Sequence, residues 1–176
     1  FTVDPDAPSA VAQVSSSADR DETPAGSPSG QLVTFRSNRD TGNNQGWIYV
    51  APALQVLAGA TDPDSAVQLT SAAGDDKDPA FVTDGTVIYS HLGDGETAYQ
   101  LYTVPVAAPH TPQPVFPAPT GCNDTEPAVS AADTDLVAFT RTCAAAASHV
   151  WVFDRSLPVS PTNPIDVTAA NGAEAA

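Results

Sequence analysis

Carboxylates are the side chains in this sequence best suited to chemistry, and six of them recur at matched places. Asp21 and Glu22, Asp76 and Asp78, and Asp124 and Glu126 each belong to an Asp-x-x-Pro motif, closed by Pro24, Pro79 and Pro127. Clustered carboxylate oxygens bind hard cations such as Ca2+. Two carboxyls at a set separation hydrolyse glycosides. The competing use is local, with an Asp oxygen accepting a backbone N–H at a turn. The six residues are therefore the candidate acidic face, for a cation or a partner, with turn capping as the other reading. The acidic loops Asp62 to Ser65 and Asp75 to Asp78 do not have the spacing of an EF-hand.

No catalytic residue emerges from the remaining reactive side chains. The sequence contains no Gly-x-Ser-x-Gly, so no nucleophile elbow. His91, His110 and His149 show no metal-ligand spacing and read as surface or loop histidines. The chain is therefore expected not to be an enzyme, with no cofactor apart from Ca2+ as a candidate. Cys122 and Cys143 are the two cysteines. An even count in a chain that reads as exported points to one disulfide, with two buried free thiols as the other reading.

Charge narrows the partners. Lys and Arg total 6 against 21 Asp and Glu, for a formal net charge of -15. Nothing here neutralises a run of phosphates, which argues against nucleic acid. The same sign argues against an anionic membrane surface. Apolar runs are short, so no membrane insertion by a helix is expected. Methionine is absent and Phe1 is not an initiator, so processing or excision is the expectation.

A repeat must position these side chains. After each Asp-x-x-Pro come a short first strand and then a polar turn: Ser27 to Gly30, Thr83 to Gly85, Ala132 to Asp135. Alternating apolar strands follow at Leu32 to Phe35, Val87 to Tyr89 and Leu136 to Phe139. A third strand reads Trp47 to Val50, Leu101 to Val104 and Val150 to Phe153. A variable fourth lies at Val67 to Thr70, Pro114 to Phe116 and Ile165 to Thr168. Four short strands per unit, at Pro-to-Pro spacings of 55 and 48 residues, is the pattern of a propeller blade. The fold class is all-β, an array of about three four-stranded antiparallel blades. The divisions expected are an N-terminal segment 1–18 with a lone outer strand at Val11 to Val14, blades at 19–70, 71–116 and 117–170, and a tail at 171–176. The recurring aromatics Phe35, Tyr89, Phe139, Tyr49, Tyr102 and Trp151 read as inter-blade core. Trp47 stands apart as more exposed. The cysteines fit this layout, one at the start of a first strand and one at the end of the second.

The repeat resembles the TolB-type β-propeller repeat, a relative of the WD repeats. That family's blade opens with Asp-x-x-Pro and an aromatic, then a Ser-Pro-Asp-Gly turn and two apolar strands. Here Ser27-Pro28-Ser29-Gly30 has Ser29 in place of Asp, and the third copy lacks the Gly. Among the family's functions the resemblance implies are periplasmic scaffolds and accessory propellers of hydrolases or lyases. Fold does not choose among them.

Three blades do not close a ring. Closure by a second copy, by a partner or by edge-to-edge assembly is the expectation, through open blade edges. The first reading of function is a non-enzymatic exported module, periplasmic, cell-surface or extracellular, for protein interaction, scaffolding or self-assembly. The second is an accessory propeller of a hydrolase or lyase whose catalytic part lies elsewhere. A third is a Ca2+-stabilised surface protein.

Overall fold

The computed structural model describes residues 2–4, 7–12, 19–41, 45–53, 65–144, 146–160 and 163–168. Strands β1 (Thr2–Asp4) and β2 (Ala7–Ala12) pair as a small antiparallel sheet of their own. The expected lone strand is thus a hairpin, because Thr2 to Asp4 supply β2 with a partner; residues 13 and 14 lie outside the described ones.

Three four-stranded antiparallel sheets follow, each a meander in chain order, as expected. Blade 1 is β3 (Asp21–Gly26), β4 (Leu32–Ser37), β5 (Trp47–Pro52) and β6 (Val67–Gln68). Blade 2 is β7 (Gly74–Thr83), β8 (Thr86–Gly93), β9 (Gln100–Pro105) and β10 (Gln113–Pro114). Blade 3 is β11 (Cys122–Val129), β12 (Leu136–Cys143), β13 (His149–Asp154) and β14 (Ile165–Asp166).

The Asp-x-x-Pro motif lies inside the first strand of each blade, not ahead of it. Proline has no N–H for the ladder, so a strand tolerates it at a bulge. A bulge occurs at the same point in all three sheets, between Glu22 and Ala25, Lys77 and Ala80, and Thr125 and Ala128. Each time, the strand spends one extra residue relative to its partner. The residue before proline takes a left-handed backbone in every copy, with φ of 47° at Thr23, 53° at Asp78 and 55° at Glu126. Non-glycine residues rarely adopt that conformation. Its threefold recurrence marks the bulge as part of the blade's design. The following turn also forms as read: Gly30 donates to the Ser27 carbonyl at 2.9 Å, with φ of 70°.

Strand alternation gives each blade two apolar faces. Cross-strand pairs Phe35–Tyr49, Tyr89–Tyr102 and Phe139–Trp151 occupy equivalent positions, which defines an aromatic face on each sheet. The opposite face is mainly aliphatic. Ile48, Val50 and Leu69 of blade 1 pack against Phe81, Val87, Tyr89 and Val104 of blade 2. Ile88, Leu101 and Phe116 of blade 2 pack against Val137, Phe139 and Phe153 of blade 3. Tyr89 and Phe139 are thus inter-blade core as expected, while Tyr102 and Trp151 are half-buried. Phe35 and Tyr49 differ: they form a separate cluster with Ala51 on the far side of blade 1, and Trp47 packs beside them.

Cys122 and Cys143 lie directly opposite each other in the β11–β12 ladder and form the disulfide. The enclosed loop predicts roughly 3 kcal/mol from chain entropy. Cys143→Ser is expected to lower stability by about that amount, read as a shift of the urea midpoint with an unchanged slope. An unshifted midpoint refutes the bridge's contribution.

Candidate functional site

The first Asp of each motif meets a basic side chain, which in blades 2 and 3 the strand register sets directly opposite it. In blade 3, Asp124 pairs with Arg141 across the ladder. The guanidinium donates from Nε and Nη2 to the two carboxylate oxygens, both at 2.7 Å. Asp124 is fully buried and Arg141 nearly so. The guanidinium also lies 4.8 Å from the Trp151 ring centroid, 5.2 Å from Phe139 and 5.7 Å from Phe116. Burial raises the Asp124 pKa, and Arg141 opposes that rise.

Blade 2 repeats the plan with histidine. Asp76 pairs with His91 across β7 and β8, and His91 Nδ1 sits 2.6 Å from Asp76 Oδ1. The ring of His91 meets Tyr102 edge-on at 4.8 Å. In blade 1 the cross-strand position is Ser37, and Arg39 from the next turn reaches Asp21 at 3.2 Å. Its guanidinium lies 4.8 Å from Tyr49 and 5.4 Å from Phe35. Blades 2 and 3 therefore hold the carboxylate, the basic group and the aromatic platform at equivalent places, and blade 1 supplies its basic group from the following turn.

Of the other candidates of the acidic face, Glu22 and Glu126 are engaged and Asp78 is only loosely paired. Glu22 binds Arg20 at 2.6 Å and Arg36 at 2.9 Å. Asp78 lies 3.9 Å from the Lys77 ammonium, and its buried Oδ2 has no hydrogen-bond partner among the described residues. Burial raises its pKa above the ordinary carboxylate value. Glu126 accepts from the Thr140 hydroxyl at 3.0 Å. The structure thus brings Asp78 and Glu126 together at the meeting of blades 2 and 3. Asp21, Asp76 and Asp124 are each held within their own blade. Among the described residues, no three His, Cys, Asp or Glu side chains are arranged to hold a metal ion.

A polar staple between blades 1 and 2 was not foreseen from sequence. Arg36 donates to Asp75 at 2.8 Å and to the Asp76 carbonyl at 3.1 Å while holding Glu22. Asp75 also accepts from Gly46 N–H at 2.7 Å and from the Tyr99 hydroxyl at 2.5 Å. These donors outweigh burial and hold the Asp75 pKa below its ordinary value. Arg36 follows Phe35 directly, and charge at that position was the available signal. The basic partners had one too: His91 and Arg141 each stand two residues after the strand aromatic.

His91 departs from the surface or loop reading, whereas His149 and His110 keep to it. His91 lies within β8, half-buried. His149 opens β13 with Nδ1 at 2.7 Å from Asp166. Only His110 stays in a loop, with Nδ1 at 3.1 Å from the Pro105 carbonyl. The Asp76 carboxylate raises the His91 pKa above 6.5, and burial only partly opposes it. Its stabilisation is therefore full below about pH 6.5 and is lost as pH rises through the raised folded value. We expect the wild-type melting temperature to fall across that window relative to His91→Gln. Parallel profiles for the two chains refute the assignment.

Three small clefts are lined by described residues. One of about 240 Å³ lies between the Gly26–Pro28 turn, Phe81 and Val129. Others of 190 and 200 Å³ border Phe153 and Trp151. Drug-sized ligands occupy clefts of about 300 Å³ or more.

No family model matches the chain, and no curated protein sequence matches it. Among solved structures it is similar to TolB from Acinetobacter baumannii, at 14% sequence identity and a TM-score of 0.46. The match covers 87% of this chain and 45% of that one, so the chain spans less than half of that protein's length.

Proposed function

We propose that this chain is a non-catalytic protein-interaction module of an exported protein, and that blade 3 carries its contact surface. One observation supports this most. Seven large apolar side chains are exposed among the described residues, and six belong to blade 3 or its β13–β14 loop. These are Leu136, Val150, Leu157, Val159, Ile165 and Val167, with Val67 the seventh. Apolar side chains concentrated in one region of an otherwise acidic protein are the mark of a protein contact. Five of the six repeat carboxylates, by contrast, are engaged by basic groups or hydroxyls of the same chain: Asp21, Glu22, Asp76, Asp124 and Glu126. The disulfide supports export, since such bonds persist in oxidising compartments.

Asn163 is buried and donates from Nδ2 to the carbonyls of Asp154 at 2.9 Å, Pro158 at 3.3 Å and Leu157 at 3.4 Å. The two amide hydrogens are shared among these carbonyls, which ties Asn163 to the backbone around Leu157.

The test is a photo-cross-linking residue at position 159, with position 84 on the blade 2 turn as the control. Exposed to the exported proteins of the source cell, the 159 chain is expected to label a discrete partner that the 84 chain does not. Equal labelling from both positions, or hydrolysis of ester, peptide or glycan substrates by the purified chain, refutes the reading.

A further inference from the structure

Resting on that reading, we infer that the β13–β14 loop is a substrate-like segment for the cleft of an endopeptidase selective for small aliphatic side chains, with the Val159–Ser160 bond at the cleavage position. The partner is the peptidase, and the chain acts on it as an inhibitor.

The side chains of the loop have the matching chemistry. Leu157, Pro158 and Val159 are consecutive and exposed, Leu157 and Val159 by 53% and 51%. No charged residue lies between Arg155 and Asp166, in a chain of net charge -15. A serine peptidase selects through the pocket that takes the side chain before the cleaved bond. That pocket is small in elastase and acidic in trypsin. Val159 fits the first and offers nothing to the second.

The backbone is arranged for the same use. Peptide clefts bind an extended segment through main-chain hydrogen bonds. Pro158 fixes its own φ and biases Leu157 away from helical backbone. Among the described residues, neither the N–H nor the carbonyl of Val159 has a hydrogen-bond partner. These are the two groups a peptidase takes up, the N–H in strand pairing and the carbonyl oxygen in the oxyanion hole.

Bonds tie the chain on both sides of Val159. Asp154 N–H donates to Asn163 Oδ1 at 2.9 Å, and Asn163 Nδ2 returns to the Asp154 carbonyl at 2.9 Å. The same Nδ2 reaches the Pro158 carbonyl at 3.3 Å and the Leu157 carbonyl at 3.4 Å. Ser156 donates from its N–H and its hydroxyl to Asp154 Oδ1, at 2.9 and 2.6 Å. On the other side, Ser160 N–H donates to the Asn163 carbonyl at 3.1 Å, and Asn163 N–H donates to the Ser160 carbonyl at 3.0 Å. A loop ordered in advance loses less entropy on binding. Asn163 also clamps both ends of the cleavable bond. Hydrolysis adds water across it, leaving a carboxylate on Val159 and an ammonium on Ser160. Asn163 still holds the Pro158 side through its amide and Ser160 through its backbone, so the two ends stay together. That retention separates an inhibitor from an ordinary substrate.

The probe is pancreatic elastase, assayed on a small chromogenic peptide with the full chain added. Competitive inhibition is expected, with a constant of about 10 µM or tighter. Val159→Arg is expected to weaken it at least tenfold and to create inhibition of trypsin, which the wild-type chain lacks. Asn163→Ala is expected to let elastase cut between residues 159 and 160 at least tenfold faster than in the wild-type chain. Absence of inhibition at about 100 µM wild-type chain overturns the proposal. So does elastase inhibition that survives Val159→Arg, or a Val159→Arg chain that leaves trypsin untouched. Cleavage of the wild-type loop as fast as that of a free peptide of residues 154–168 overturns it as well. Position 159 is exposed, so its variants decide the matter even where Asn163→Ala unfolds the blade. A discrete partner labelled from position 159, without inhibition, overturns this inference and leaves the interaction reading standing. Absence of cross-links from position 159 removes the interaction reading itself.

Discussion

Arg141→Ala is expected to destabilise the protein by about 3–5 kcal/mol, the largest loss from any polar side chain in the fold. Removing one member of a buried ion pair strands the other as an uncompensated charge. Here the stranded group is Asp124, with no exposure to water and both oxygens bonded to the same guanidinium. The substitution also removes the cation held against Trp151, Phe139 and Phe116. Such contacts add about 0.5–2 kcal/mol. Arg141→Lys should recover only part of the loss, since an ammonium cannot match a carboxylate with two parallel bonds. Replacing both partners by apolar residues, as Asp124→Leu with Arg141→Met, should cost less than Arg141→Ala alone. Urea unfolding of the three variants measures this. A loss below about 1 kcal/mol for Arg141→Ala contradicts the buried-pair account.

Tyr89→Ala is expected to cost a similar amount, about 3–5 kcal/mol, for a different reason. A large aromatic removed from a closed core loses its transfer energy and leaves a cavity. Tyr89 is 1% exposed and sits in the cluster that joins blades 1 and 2. Its hydroxyl pKa is raised, chiefly by burial. Tyr102→Ala gives the internal comparison. Tyr102 occupies the paired position on β9 but is only half-buried, so its loss should be clearly smaller. Sequence reasoning treats the two tyrosines alike, because both recur at aromatic positions of the repeat. Equal losses from the two substitutions mean that burial does not separate them and the packing account is wrong.

The acidic face shows where reading by repeat reached its limit. The recurrence of Asp21, Asp76 and Asp124 was plain in the sequence, and the structure places all three at one equivalent point. What each meets there was not plain. The partner of Asp124 lies 17 residues away and that of Asp76 lies 15 away. Strand register, not local spacing, brings them together. In blade 1 the pattern shifts, with Ser37 at the paired position and Arg39 reaching from the following turn. Only a three-dimensional placement exposes that substitution of one basic group for another. The exposed face of blade 3 was hidden similarly. Val150 and Ile48 are both aliphatic strand residues, and nothing local says that one is covered and the other is not.

By itself the sequence determined the all-β class, the three antiparallel sheets and their turns, and it favoured the cysteine bridge over two free thiols. Each of these follows from short-range signals: alternation with period two, Gly and Pro at turns, and a motif recurring at blade spacing. Tertiary structure alone decided which sheet face meets which, where the proline bulge falls within the strand, and which carboxylate each basic side chain neutralises. Those outcomes depend on register and on stacking between sheets. Both bring together residues distant in the chain, whose encounter leaves no local pattern to read.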